Sequence, residues 1–477
     1  MGDEIEFSRF RKKDYERFFD KLDQETELLR SWLDKGQLST KYGIAGFEQE
    51  AWLIDNEFSP SPANDFLLND LKNALLSPEL SRFNIELNVN PQTLGGDCFS
   101  HLRNELVQLW QSCERSAQKI DAHMMMTGIL PTVCDHNLTI ENMSPLNRYR
   151  ALNEQIMQAR KGKPLKLDIV GESHLQSRHT DVMLESAATS FQIHRQIPFP
   201  LARRAYNASI IASAPLVALS ANSPYLFGTD LWDETRIPVF EQAVAVGGYG
   251  LAMRGPTRRV SFGTGYAQHS LLECFIENRE HFPVLLPVEF GEAPERLCHL
   301  RLHNGTIWRW NRPLIGFDDD GTPHLRIEQR VVPAGPTVID EIANAVFFYG
   351  LHENLMTREI PPELKLSFSD ARDNFYLAAQ KGLRSTVLNF DGKKVPMKSL
   401  ILEELMPAAR DGLEKLAINR NDIKDYLGII EARVSSGRNG ACWQRSFVAE
   451  NGNDMRALTS VYYHNQQCGN PVHEWSI

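Results

Sequence analysis

What the chain lacks removes several classes at once. Its N-terminus, Met1 to Asp20, is charged and has no apolar core of the kind a signal peptide carries, and nothing downstream approaches the ~18 apolar residues of a membrane span. The longest apolar stretch, Ala208 to Ala221, is interrupted by Pro215 and several serines and reads as a buried helix with a break. Cysteine is sparse: seven residues, none in a CxxC pair, give neither a zinc framework nor a disulfide scaffold, and a reducing cytoplasm fits best. Positive charge is also short. A formal charge of −10 excludes a broad surface for nucleic acid or acidic membrane, so an anionic substrate would have to be met by metal ions or local arginines. There is no internal repeat, no low-complexity run and no glycine-rich motif that would cradle phosphate.

What remains is an ordinary globular composition, 42% hydrophobic and 23% charged over 477 residues, enough for two or three average domains or one large enzyme core with helical additions. Residues 1–40 read as a helical appendage, with Phe10, Tyr15, Phe18, Phe19, Leu22 and Leu29 spaced for one apolar face. Residues 41–345 read as the core and 346–477 as a helical region packed on it. Strand-like alternation runs from Tyr42 to Asp55 and from Phe83 to Pro91. An amphipathic helix follows through Leu102, Leu106, Leu109, Cys113 and Ile120, entered by Gly95-Gly96 with Ser100 as its cap. His299 to Arg330 reads as a meander turning at Asn304-Gly305 and again at Asp320-Gly321, which leads into Leu325–Val332. After Pro336 the pattern is mostly helical, with a break at Pro361-Pro362 and a flexible loop from Gly437 to Gly440. The expected class is α+β, an antiparallel sheet with helices inserted between its strands.

Four of the strand-like segments carry ionisable or amide groups at every second residue, which places those groups on one face. They are Glu48 and Glu50; Glu86, Asn88 and Asn90; Gln192 and His194; and Arg326, Glu328 and Arg330. An ordinary antiparallel sheet also has a solvated face. Two same-face glutamates, however, repel unless a cation sits between them, and Mg²⁺ takes carboxylate oxygens together with phosphates while a histidine suits Mn²⁺.

Gly46-Phe47-Glu48-Gln49-Glu50 resembles the Gly-x-Glu-x-Glu opening of the glutamate–cysteine ligase family, in its bacterial carboxylate–amine ligase and plant-type branch. Further blocks follow in that family's order: Ile85-Glu86-Leu87-Asn88, Thr127-Gly128-Ile129-Leu130-Pro131, Arg148-Tyr149, Gln192-Ile193-His194, Leu219 to Pro224, Arg326 to Arg330 with Pro336-Thr337, Asn374 to Leu383, and Gly440-Ala441 with Gln444-Arg445. The resemblance implies a glutamine synthetase-like catalytic domain over residues 41–345, whose curved antiparallel sheet forms an active-site funnel with flanking helices. It also implies ATP and Mg²⁺, with Mn²⁺ as an alternative ion. Carried over residue by residue, it makes Glu48, Glu50, Glu86, His194 and Glu328 metal ligands and Arg330 the group that meets the transferring phosphoryl.

The activity so implied is amide formation between a carboxylate and an amine through an acyl phosphate, with glutamate and cysteine as the default small-molecule substrates. Arg236 has two readings, a bidentate clamp for the substrate's α-carboxylate or a surface ion pair with Asp233 or Glu241. Gln192 and Arg148 are further substrate-binding candidates. His174 and His179 fall in a polar segment read as a solvated loop, and Cys98, Cys274 and Cys442 have no base partner that would make a nucleophile. One departure from the family stands out: Arg195-Gln196 follows His194, which would reshape the amine site. A metal-dependent hydrolase, a ligase for another amine or a peptide end, and a non-catalytic binding homologue remain as alternatives. Homo-oligomerisation is left open; nucleic acid and membrane are not expected partners.

Overall fold

The computed structural model describes residues 4–246 and 258–477. Its centre is an eight-stranded antiparallel sheet built from β1 (Ile44–Asp55), β2 (Leu76–Pro78), β3 (Asn84–Asn88), β4 (Gln92–Thr93), β5 (Ala122–Met125), β6 (Phe191–Ile197), β7 (Asn311–Phe317) and β8 (Pro323–Gln329). The strands lie in the order β7-β8-β6-β1-β3-β2, with β4 and β5 also pairing with β1. Curled into a half-barrel, this sheet has the expected glutamine synthetase-like architecture.

Alternation explains which face goes where. Ala45, Phe47, Ile85, Leu87, Phe191, Ile193, Leu325 and Ile327 are buried on the back. That back is covered by two of the nine helices named here: α1 (Lys12–Asp34), α2 (Cys98–Ala117), α3 (Ala202–Ser220), α4 (Arg236–Ala243), α5 (Cys298–Gly305), α6 (Val338–Thr357), α7 (Arg420–Ser436), α8 (Gly440–Asn451) and α9 (Met455–Cys468). α3 and α6 pack on each other and are buried around nearly their whole circumference, as helices without a polar stripe must be. α3 runs unbroken through Pro215, contrary to the expected break. A proline removes one backbone hydrogen bond, and burial on all sides outweighs that loss. No helix among the described residues is long and apolar enough to cross a membrane.

Several local expectations need correction. Asn304-Gly305 is not a hairpin turn but the end of α5, whose buried His299, Leu300, His303 and Asn304 recur with helical spacing. The second turn is present: Asp318 and Thr322 close it, with Gly321 at φ +83°. Ser100 lies inside α2, which begins at Cys98, and its hydroxyl donates to Asp422 at 2.9 Å. His174 and His179 belong to a hairpin, Leu165–Val170 with His174–His179, in which His174 meets Asp168 at 2.8 Å and His179 is buried. Between α7 and α8 the segment expected to be a flexible loop is a short connection in which Gly437 ends one helix and Asn439 caps the next, accepting from the Cys442 amide at 2.9 Å.

Candidate active site

Strand register lays the polar face out in rows. One row runs Gly46, His194, Glu328, Arg312 across four strands. The next holds Asn88, Glu48 and Gln192, and the one beyond it Glu86 beside Glu50. On the other flank, Ile44, Gln196, Arg326 and Leu314 form a further row. The four carboxylates and one imidazole singled out from the sequence therefore share one face, in two groups. In Glu48, His194 and Glu328, and separately in Glu50, Glu79 and Glu86, one ligand atom per residue lies within 4.8 Å of the others.

The local chemistry fits divalent cations. Both ring nitrogens of His194 are buried without a hydrogen-bond partner, and Nε2 stands 3.3 Å from Glu48 Oε1 and 3.8 Å from Glu328 Oε1. Burial, then Glu79, pushes the Glu50 carboxyl up to about 7 despite Arg330 and Ser190. Glu86 is held well above the ordinary range by burial and by Glu48 and Glu79, and burial raises Glu79 too. These three strain against one another's charge, which is what a hard cation relieves. In the first group the balance is reversed. Burial would raise Glu48, but His194 draws it down to about 2. Burial would raise Glu328 as well, yet Arg312 and Arg330 hold it well below the usual range.

Between the groups sits a bridge. Gln192 donates to Glu50 Oε1 at 2.7 Å and accepts from Arg330 Nη1, which also donates to Glu328 Oε2 at 3.1 Å. The Arg330 Nε is buried without a partner, a donor left for a ligand. Ser190 fixes Glu50 through its amide at 2.7 Å and its hydroxyl at 2.9 Å, and Asn88 donates to Glu86 at 2.8 Å. Arg148 lies against the second group, donating to the Pro78 carbonyl at 3.3 Å and to the Tyr149 hydroxyl at 2.7 Å.

Three sequence expectations are corrected here. Arg236 is buried: its Nε donates to Glu234 Oε1 at 3.1 Å and its Nη2 to the carbonyls of Val331 at 2.6 Å and Arg330 at 3.2 Å. Those donors are committed to the protein, so it braces the strand that carries Arg330, and its ion-pair partner is Glu234, not Asp233 or Glu241. Arg195 leaves the polar face altogether. Period two turns it to the back, fully buried, where it pairs with Glu353 and lies 2.9 Å from His352 Nδ1. It has no part in the polar face, and Gln196, which does share that face, donates to Asp318 at 3.1 Å. Asn90 lies past the end of β3 and turns to Glu105.

Two residues escaped the sequence reading. Glu79 follows β2 and reaches the second acidic group from a connecting segment, where strand periodicity gives no signal. Arg312 forks onto Glu328, Nε to Oε2 at 2.6 Å and Nη2 to Oε1 at 2.9 Å. A signal for it existed, since residues equidistant from Asp320 in the turn face each other across the hairpin.

The chain matches the family described as glutamate–cysteine ligase family 2 over residues 2–464. A glutamate–cysteine ligase from Francisella tularensis, solved in complex with AMP, shares its fold with a TM-score of 0.54 at 11% identity, covering 92% of this chain and 91% of that one. A bifunctional glutathione synthetase from Pasteurella multocida aligns with a TM-score of 0.49 at 9% identity, over 96% of this chain and 55% of that one. No curated protein matches. Half-barrel, acidic face and family match define the class, a carbon–nitrogen ligase that joins a carboxylate to an amine. The chain belongs to glutamate–cysteine ligase family 2.

Proposed function

We propose that this ligase uses ATP and Mg²⁺, with Mn²⁺ as a substitute, to couple an amino-acid carboxylate to an amine through an acyl phosphate, with glutamate and cysteine as the first substrate pair to try. The observation that carries the reading is the placement of Arg330 and Gln192 between two buried acidic groups, an arrangement suited to one phosphoryl-transfer point flanked by two cation sites. Divalent ions held by Glu48, His194 and Glu328 and by Glu50, Glu79 and Glu86 would neutralise the nucleotide phosphates.

The residues of the chain do the positioning. A substrate carboxylate oxygen attacks the terminal phosphorus of ATP and ADP leaves; Arg330, steadied by Glu328 and Gln192, meets the charge spread over the phosphoryl oxygens. Gln192 ties that arginine to Glu50, so the two acidic groups keep one geometry. The amine nitrogen then attacks the acyl carbon, phosphate departs and the nitrogen gives up its proton. Glu79, Glu86 and Glu185, each raised by burial and by neighbouring carboxyls, line the far end of the face, where a bound cation would take the place of their protons. Arg148, beside Glu79, fixes that end.

The test is an amino-acid matrix with ATP and Mg²⁺, read as ADP release and product mass. ADP should appear only when carboxylate and amine are both present, and the product should have the mass of the two substrates less water. Hydrolysis of an amide without nucleotide would replace this reading with the hydrolase.

A further inference from the structure

A metal-binding histidine usually gives one ring nitrogen to the ion and donates from the other to a carboxylate or carbonyl, which fixes the direction of the ring. His194 makes no such bond. Its Nε2 faces Glu48 and Glu328, and its Nδ1 is buried without a partner among the described residues. The neighbouring carboxylates are held on the polar face itself, Glu50 by Ser190 and Gln192, Glu86 by Asn88, and Glu328 by Arg312 and Arg330. The imidazole has to be aimed from somewhere else.

The support lies behind the sheet. On the back of β6 alternation calls for apolar residues, and Phe191, Ile193 and Ile197 supply them, all fully buried. Arg195 breaks the series at the residue after His194. Its Nη1 donates to His352 Nδ1 at 2.9 Å and its Nη2 pairs with Glu353, to which Tyr42 also donates. His352 is locked as the acceptor, because its Nε2 lies 2.8 Å from the Ala205 carbonyl, which can only receive a proton. One turn earlier on α6, the fully buried Tyr349 turns its hydroxyl to the sheet and donates to the His194 carbonyl at 2.8 Å, with the facing Gly46 carbonyl at 3.2 Å. A buried phenol costs free energy unless its hydroxyl is bonded, and here the bond goes to the peptide group that joins His194 to Arg195. Tyr349 holds that peptide at its oxygen and the anchored side chain of Arg195 holds its far end.

Given the metal-dependent reading above, we infer that Tyr349 and Arg195 are positioning residues for the metal ligand His194, with α6 acting through the main chain in place of the missing ring hydrogen bond. A ligand set has to be kept within about 0.5 Å of its working geometry. A β6 free to tilt about its own axis would swing the imidazole away from Glu48 and Glu328.

The probe is Mn²⁺, titrated into full-length protein and read by pulsed electron paramagnetic resonance. An ion bound to imidazole shows coupling to ring nitrogen, and an ion bound only to carboxylates does not. His194→Ala identifies the nitrogen-coupled population. Tyr349→Phe removes one hydroxyl and should melt within a few degrees of wild type. Its nitrogen-coupled Mn²⁺ should bind about tenfold more weakly, while the ion held by Glu50, Glu79 and Glu86 keeps its affinity. Arg195→Lys keeps a positive charge for Glu353 but loses the bond to His352, so it should shift the same population in the same direction. Unchanged nitrogen-coupled affinity in either folded variant would overturn the inference, as would an equal loss at both sites, the mark of a fold loosened in general. If wild-type protein shows no Mn²⁺ signal that His194→Ala removes, the metal-dependent reading beneath it fails instead.

Discussion

A carboxyl buried beside other carboxyls holds its proton more tightly than one in water, and Glu50, Glu79 and Glu86 are all displaced that way. Because Glu50 titrates near 7 in the folded chain against 4.5 as its ordinary value, the unfolded chain binds fewer protons between those limits. Stability from this group is therefore present below pH 4.5 and lost as pH rises through 7. A divalent cation removes that penalty by taking the place of the missing proton. The expected outcome is a rise in melting temperature with Mg²⁺ that is clearly larger at pH 8 than at pH 5.5, compared with EDTA. Equal shifts at both pH values would mean that the second acidic group is not a cation site. Glu48, drawn down to about 2, and Glu328, held well below its ordinary value by Arg312 and Arg330, oppose this only under pH 4.5. Glu328 and Arg330 are separable by the same ion. Glu328→Gln should lower turnover ~10²–10³-fold with partial rescue by excess Mg²⁺, and Arg330→Lys should lose a similar factor with little rescue, because the planar guanidinium, which meets Gln192 and Glu328 through Nη1 alone and keeps its other donors, is gone. ADP formation against Mg²⁺ concentration for each variant decides it. Period two made the strand-borne site residues legible, since alternation fixes a face before any neighbour is known. Glu79 was not legible, because it reaches the site from outside a strand.

At the scale of elements, the hidden part was pairing. Sequence shows which residues of β1, β3, β6 and β8 share a face but not that β6 inserts between β1 and β8, a contact across long stretches of chain. Asn304-Gly305 shows the other failure, in which a local turn signal lost to the burial of one side of α5. Arg236 shows a third. Its fork suits a carboxylate, but the structure spends it on the end of β8, with the ring of Trp310 stacked at 5.3 Å and Glu234 as counter-ion. Removing this arginine leaves a fully buried carboxylate without its partner, so Arg236→Met should destabilise the fold by ~3–5 kcal/mol, while adding Glu234→Gln should recover a substantial part. Chemical denaturation of both singles and the double completes the cycle. Strict additivity would show that the pair is not coupled. Arg236→Lys keeps the charge but cannot reach Glu234 and both carbonyls as the fork does. It should lower kcat more than it raises KM for either amino acid, as expected for a brace behind Arg330.

For the molecule as a whole, the division expected at residue 345 falls inside α6, one of the helices that covers the back of the catalytic sheet. The C-terminal helices are tied to the core by buried polar links as well as by apolar packing. Arg433 on α7 donates to Asp340 at 2.7 Å, Gln444 on α8 to Asn222 at 3.1 Å, and Gln466 on α9 exchanges hydrogen bonds with both the amide and the carbonyl of Met126, at 3.0 and 2.8 Å. Asn222 in turn holds the Ala334 carbonyl and the Tyr462 hydroxyl, each at 2.8 Å. Cutting the chain at 345 would expose the back of β1 and β6 and leave these groups unpaired, each a cost of about 1–3 kcal/mol where burial persists. Sheet and C-terminal helices should consequently unfold together. The measurement is a thermal or urea transition followed in parallel by far-ultraviolet circular dichroism, which reports chiefly the helices, and by fluorescence of a single tryptophan retained at Trp52, stacked on Phe83 within the sheet region. Coincident transitions are expected, and a chain ending at 345 should be insoluble or unfolded. Two separated transitions, or a folded truncated chain that binds Mn²⁺, would show that the core stands without its C-terminal third and that the links through Asn222 and Met126 only dock a separate unit.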